Sequence, residues 1–447
     1  MLRIIVPNLW NFSGKVLGAL LVIASHVPCV ADDLPENAQP RTIHGDSVEP
    51  EWEEPVTITV GQNDGDLRGD TGKAIQAAVD YVARQGGGTV KILPGTYRLR
   101  NSIFLQSHVR LVGSGEQTIL FKEPSTTTDL TVDGDHWDQE VTLADAKGFR
   151  VGDGVRLVAQ DPHGKGTNII QRTLIARKGN RYKLNERLSE RYHLSGKPKI
   201  ATNFALIQGT NISHAAIEDL MVDGNKSQNT MLDKGAFDDG AIRFDQCKRM
   251  MVRGVTVRNF YCDGIVWGIS HDVLVENCKL LDGVRLAIHS GSGSQRSIVR
   301  GNTVTKCAEG VYFCWGAQHG LYEKNVIAQC GYGMTLGHSD SNNLIRNNEI
   351  RDSRQAGIYF RGHGGAFGPH RNRFENNRII NSGGESGVAI DVQGEVEGVE
   401  IVNNVIEESR GPANRSGIRI AAEAKNIRYE GNQVHGVSVL IADQRPK

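Results

Sequence analysis

Short runs in which apolar residues alternate with a variable one recur down the C-terminal half of the chain: Val311-Tyr312-Phe313, Met334-Thr335-Leu336, Ile358-Tyr359-Phe360, Val388-Ala389-Ile390 and Ile418-Arg419-Ile420. A period of two predicts strands with alternate residues buried. Each run follows a Gly, and ahead of each Gly, across a gap of variable length, stand an Asn, an aliphatic residue two positions after it and a Cys or Ser five positions after it. The units are Asn302/Val304/Cys307/Gly310, Asn325/Ile327/Cys330/Gly333, Asn348/Ile350/Ser353/Gly357, Asn377/Ile379/Ser382/Gly387 and Asn404/Ile406/Ser409/Gly417. Successive Asn residues are 23, 23, 29 and 27 positions apart, so one gap floats while the pattern holds. Strands repeating on this scale with no amphipathic helix predict a parallel β-helix. Its coils stack about 4.8 Å apart, which makes Val/Ile columns the interior and the Asn column a buried ladder of side-chain amides.

Upstream the pattern differs. Arg3 and Lys15 precede an apolar run from Val16 to Ala24 and then Cys29-Val30-Ala31, the features of a secretory signal over 1–31, so the mature protein is expected to be secreted or periplasmic. Residues 32–54 are rich in Pro, Glu and Asp without periodicity and read as a flexible arm. Asp70 or Thr71 can cap a helix that gathers Ile75, Val79 and Val82 on one face and ends at Gly86-Gly87-Gly88. Laid across the first coil, it would cover the open bore and strand edges. Short strands then follow to residue 140. Over 141–205 the spacing breaks into Val141-Thr142-Leu143, Val155-Arg156-Leu157-Val158, Arg172-Thr173-Leu174-Ile175 and Tyr182-Lys183-Leu184 joined by Gly-containing turns, which predicts an antiparallel β insertion. Coils resume over 206–440.

The N-terminal motifs Asp70-Thr71-Gly72-Lys73-Ala74-Ile75-Gln76-Ala77-Ala78, Gly87-Gly88-Thr89-Val90 and Leu93-Pro94-Gly95-Thr96-Tyr97 resemble the opening of the pectate-lyase-like superfamily, in particular its rhamnogalacturonase/epimerase-like, polygalacturonase-related branch. The resemblance covers residues 66 to 122 and implies an all-β, single-stranded right-handed parallel β-helix; it carries no catalytic residue. Farther on, Asp263-Gly264-Ile265 and Ala287-Ile288-His289-Ser290-Gly291 are similar to the central stretch of polygalacturonase-type hydrolases. Asp263 matches that family's first Asp. Gly283 and Val284 stand where its Asp pair belongs, and His289 where its Lys stands, so the two-carboxyl hydrolysis does not carry over directly. Gly362-His363-Gly364 repeats the letters of the family's Gly-His-Gly motif two coils too late.

Lys+Arg and Asp+Glu balance at 51 each without blocks of one sign, which gives no footprint for nucleic acid or an anionic membrane. Of seven cysteines, Cys247, Cys262, Cys278, Cys307, Cys314 and Cys330 lie beyond the signal. Cys307 and Cys330 share a slot with Ser353, Ser382 and Ser409, and in-register strands aim their Cβ atoms alike, so buried thiols are favoured over disulfides. A monomer is expected.

Two and four positions past each repeat Gly, side chains should leave the sheet on its outer face. That column reads Arg243 and Asp245, Val266, Ala287 and His289, Tyr312 and Cys314, Thr335, Tyr359 and Arg361, Ala389 and Asp391, Arg419; the loops beyond add Trp315, His319, His338, Asp340, His363 and His370. Such a stripe suits an extended polysaccharide, with aromatic faces on sugar rings and cations on carboxylates. On a uronate polymer, β-elimination needs a cation on the carboxylate, a base for the C5 proton and an acid for O4. Arg361 is assigned the first role, His338 or His363 the second, Tyr312 or Tyr359 the third, with Asp263 beside them; His289, Trp315, His319, Asp340, Tyr359, Asp391 and Arg243 are the substrate-binding set. No metal ligand is assigned. Calcium is the alternative neutraliser, Asp238, Asp239 and Asp245 being the nearest acidic cluster, without a dedicated calcium spacing. The expectation is a polysaccharide lyase, with a polygalacturonase-like hydrolase, a uronate epimerase or a non-catalytic carbohydrate-binding solenoid as alternatives.

Overall fold

The computed structural model describes residues 54–161, 164, 166–232, 240–385, 387–411 and 415–446. The expected signal and nearly all of the arm lie outside the described residues, as do Asp238 and Asp239. From residue 55 on, three parallel sheets of 12, 11 and 11 strands run side by side, each coil adding one strand to each. In one coil these are Leu321–Glu323, Val326–Ala328 and Tyr332–Leu336. This is the parallel β-helix read from the repeat. Ile265, Ile288, Val311, Met334, Ile358, Ile390 and Ile418 pair in register and fill its bore.

The bends explain the other repeat positions. Asn302, Asn325, Asn348, Asn377 and Asn404 are buried, and each side-chain amide donates to the side-chain oxygen of the next Asn at 2.9–3.0 Å. The same oxygens accept backbone N–H groups that the bend would otherwise strand. Cys307, Cys330 and Ser382 each donate to the carbonyl two residues back, so thiol and hydroxyl are interchangeable there. All six described cysteines are buried and outside any disulfide. At the repeat Gly the chain turns inward against its neighbours: a Cβ on Gly333 would lie 2.4 Å from both Gly357 O and Ile350 Cγ2. Ala287 and Ala389 occupy this same slot and pack in the main core, so they do not face outward as their count from Gly implied.

The helix Gly72–Arg84 buries Ile75, Ala78, Val79 and Val82 against the first coils. It ends as expected at Gly86 and Gly87, whose φ values of 96° and 127° disfavour side chains. Thr71 stands at its N-terminus in extended conformation without a side-chain cap bond. The antiparallel insertion has six strands and its own core around Leu157, Leu174, Tyr182 and Ile200. It opens at Thr127–Asp129, before residue 141, because that polar strand pairs with Lys199–Ala201 at the sheet edge.

Candidate functional site

One sheet carries most of the expected site residues. It contains Gly240–Asp245, Asp263–Gly268, Leu286–Ser290, Glu309–Phe313, Tyr332–Leu336, Ala356–Phe360, Val388–Val392 and Ser416–Ile420. Phe104, Gln208, Arg243, Val266, His289, Tyr312, Thr335, Tyr359, Asp391 and Arg419 form a single register column on its outer side. The alignment anticipated from the repeat is therefore present, and it extends farther toward the N-terminus.

At its centre His289 Nδ1 lies 2.9 Å from Asp263 Oδ2. A carboxylate oxygen only accepts, so Nδ1 donates its proton to Asp263 and the ring is held with Nε2 as its other nitrogen, itself buried. Asp263 is fully buried; its other oxygen faces Arg285 Nε at 3.5 Å and the Leu286 N–H at 3.4 Å. His289 is only 2% exposed and lines a cleft of about 120 Å3 with Arg243, Asp245, Val266, Cys314 and Trp315. On the next coil Tyr312 and the imidazole meet edge to face, ring centres 5.1 Å apart, and the Arg361 guanidinium lies over the Tyr312 ring at 4.2 Å. Burial raises the Tyr312 pKa, which keeps its proton in place at neutral pH.

Arg361 does not reach outward as a solvent-facing cation. Its Nη2 donates to Phe313 O at 2.6 Å and to Asp340 at 3.3 Å, and it lies 3.5 Å from His338 Nδ1. Asp340 is likewise an internal group, fully buried, accepting the N–H groups of Gly316, Ala317 and Gly337 at 2.8–3.0 Å. Burial pushes its pKa up to about 7 against the pull of Arg361 and those amides. Together the two brace Tyr312 and the loops around it.

Trp315, His338 and His363 form a stack, with ring centres 4.7 Å and 3.8 Å apart. Burial, reinforced by His363 and Arg361, lowers His338 to about 4, and His363 is lowered too. Both rings are neutral near pH 7, and His338 is too weak a base for the role expected of it. Trp315 is 57% exposed and lines the cleft at His289. His319 stands apart, exposed in the left-handed turn column with Arg296 and Asn342. His370 is spent on Gly365 O and the Glu397 N–H. Tyr359 stacks on Tyr332 at 5.1 Å, and Asp391 pairs with Arg419; these four line a second cleft of about 410 Å3.

Counting from Gly missed one carboxyl group. Glu309 sits one residue before Gly310, as Asp263 does before Gly264, and that slot also faces outward. Burial raises the Glu309 pKa, opposed by a 2.5 Å bond from Thr335 Oγ1 and by nearby Arg361 and His289. The shared slot with Asp263 was the available signal. Among the described residues, no group of three or more His, Cys, Asp or Glu side chains is arranged to hold a metal ion.

The family model for the right handed beta helix region matches residues 240–406 and 316–445. With the coil geometry above, this places the chain among right-handed parallel β-helix proteins. No curated protein matches it. Among solved structures it resembles the A-module of the mannuronan C-5 epimerase AlgE6 of Azotobacter vinelandii, at 14% identity over 87% of this chain and 100% of that one, with a TM-score of 0.51. The Dettilon tailspike protein is similar at 11% identity over 86% and 68%, with a TM-score of 0.54. The surface protein and adhesin PfbA of Streptococcus pneumoniae is similar at 14% identity over 83% and 95%, with a TM-score of 0.50. At these identities the likeness is one of fold.

Proposed function

We propose that this protein is an exported enzyme that removes the C5 proton of a uronic acid unit within a polysaccharide, and most directly a lyase. The observation that carries this reading is the Asp263–His289–Tyr312 constellation on the outer face of the sheet, with Arg243 lining the same cleft as His289. Arg243 stands two coils before His289, about 10 Å at the strand spacing, and receives the sugar carboxylate. Asp263 holds the imidazole so that Nε2 takes the C5 proton. The C5–H electron pair becomes the C4=C5 double bond, the C4–O4 bond breaks, and the Tyr312 hydroxyl delivers a proton to O4. The base role thus moves from His338 or His363 to His289, and the carboxylate contact from Arg361 to Arg243. Epimerisation shares the first step, with the proton returned to the other face of C5. The name of the Azotobacter module is in keeping with that chemistry. Export rests on the N-terminal sequence and is tested by the N-terminal residue of the protein recovered from its host.

A second reading has an observation of its own. Asp263 and Glu309 face the same side of the sheet in different surroundings, Asp263 against Arg285 and His289, Glu309 with its pKa raised by burial. An acid and a base so differentiated would serve glycoside hydrolysis. Incubating the mature protein with uronic-acid and neutral polysaccharides in deuterated water separates the outcomes. Unsaturated ends absorbing in the ultraviolet mark the lyase, and deuterium at C5 without cleavage marks the epimerase. New reducing ends without that absorbance would replace the proposal with hydrolysis; binding without turnover on any polymer would replace it with a carbohydrate-binding role.

A further inference from the structure

A cleft of about 530 Å3 lies away from the Asp263–His289 pair, where the antiparallel insertion leans over the first coils. We infer that this cleft is a distal binding site for the same anionic polysaccharide, holding sugar units several positions along the chain from the reacting one. The inference rests on the proposed function.

Continuity supports it first. Phe104 and Gln208 line the cleft and belong to the same register column as His289 and Tyr312, and Arg243 lines both this cleft and the smaller one at His289. A polymer lying along the column passes from one to the other without changing direction. Charge supports it next: Arg156, Arg172 and Arg243 line the cleft against a single acid, Glu186. Phe104 is 37% exposed at the cleft wall, the disposition of an aromatic platform for a sugar face. Ser102, 6% exposed, also lines the cleft, and its hydroxyl finds no hydrogen-bond partner among the described residues.

The walls are built as a fixed surface. Arg100 pairs with Asp153 at 2.7 and 2.8 Å, Asn101 donates to Thr173 at 3.0 Å, and Tyr261 donates to Phe204 O at 3.1 Å, tying the insertion to the coils. Insertion and solenoid therefore meet in a preformed shape, which lowers the ordering cost of binding an extended chain.

The test measures affinity against chain length, using size-fractionated oligosaccharides of whichever uronate polymer the wild-type protein binds, by titration calorimetry. Wild-type affinity is expected to rise about fivefold once the oligomer is long enough to reach Phe104, since one added stacking contact is worth about 1 kcal/mol. Phe104→Ala should abolish that rise, and Gln208→Glu, which places a negative charge beside Arg243, should weaken long anionic oligomers while sparing a neutral polymer. Thermal unfolding reports whether either surface variant remains folded. Affinity that is flat with length in the wild type, or a rise that survives both substitutions, would overturn the inference while leaving the proposed function standing. Failure of the wild-type protein to bind or turn over any uronate polymer would remove the proposed function itself.

Discussion

Replacing Asp263 by Asn tests the centre of the site with almost no change of shape. The carboxyl group accepts from three sides: His289 Nδ1 at 2.9 Å on one oxygen, Arg285 Nε at 3.5 Å and the Leu286 N–H at 3.4 Å on the other. An Asn side chain has one acceptor and one donor, so it can satisfy only one side. If its oxygen stays on His289, its NH2 faces two donors; if it turns over, the NH2 faces His289 and forces the proton to Nε2, where the base must act. The first arrangement strands donors in a fully buried position, at about 1–3 kcal/mol for each. The second removes the general base, worth about 10²- to 10⁴-fold in rate, or about 3–5 kcal/mol of barrier. The turned-over form is the one expected, because it keeps Arg285 and Leu286 paired. Turnover should fall by that factor on the responsive polymer, and nitrogen chemical shifts of His289 should report the change of tautomer without any substrate. Asp263→Asn retaining more than about a third of wild-type turnover, with the tautomer unchanged, would refute the assignment of His289 as base.

Three further outcomes follow from the geometry. Asn348→Ala deletes bonds to Tyr322 O, Asn377 Oδ1, the Asn325 N–H and the Asn325 side-chain amide, all buried, and at about 1 kcal/mol each should cost about 4 kcal/mol in a urea titration; a loss below about 1 kcal/mol would contradict the ladder. Because the folded pKa of His338 is depressed to about 4, its unfolded form takes up protons first, so it contributes stability above pH 6.5 that is lost as pH falls toward 4. His338→Gln should flatten that acid slope relative to wild type, and an unchanged slope would show the stack is not its source. On another face, Glu218, Arg253, Glu276, Arg300, Glu323, Arg346 and Glu375 share one register position and alternate in sign. Arg300→Glu, which sets three carboxylates in succession, should destabilise by about 1–2 kcal/mol, the arginines being nearly half exposed, and the loss should shrink in 1 M salt.

Much of the fold was legible because a solenoid writes its contacts as periodicity. The Asn, Gly and Cys/Ser positions each recur because each solves one problem of the bend, and the outward column from Arg243 to Arg419 followed from the period of two. What could not be read was which outward residues the neighbouring loops cover. Arg361 and Asp340 pair with each other across coils, and nothing local distinguishes them from surface groups. His319 has the letters of a site residue but serves a left-handed turn, a conformation that Asn342 and Arg296 share without any common sequence signal. The early start of the insertion was not legible because Thr127–Asp129 has no apolar alternation, and its pairing with Lys199–Ala201 closes a loop of some seventy residues that no local pattern reveals.

The two faces of the solenoid depend on each other through register. Sliding a strand by two residues preserves its in-and-out alternation, so the apolar columns alone do not exclude it. The Asn ladder, the inward Gly slot and the alternating Glu and Arg column do exclude it, since each requires one pairing between successive coils. Every cross-coil contact of the candidate site requires the same pairing. Asp263 reaches His289 from one coil to the next, His289 meets Tyr312 on the following one, and Arg361 closes over Tyr312 from two coils beyond. A slip of two residues would carry Asp263 past His289 by about 7 Å while leaving the core nearly as well packed. The residues that hold the bends therefore act as positioning residues for the chemistry, although none of them faces the cleft at His289.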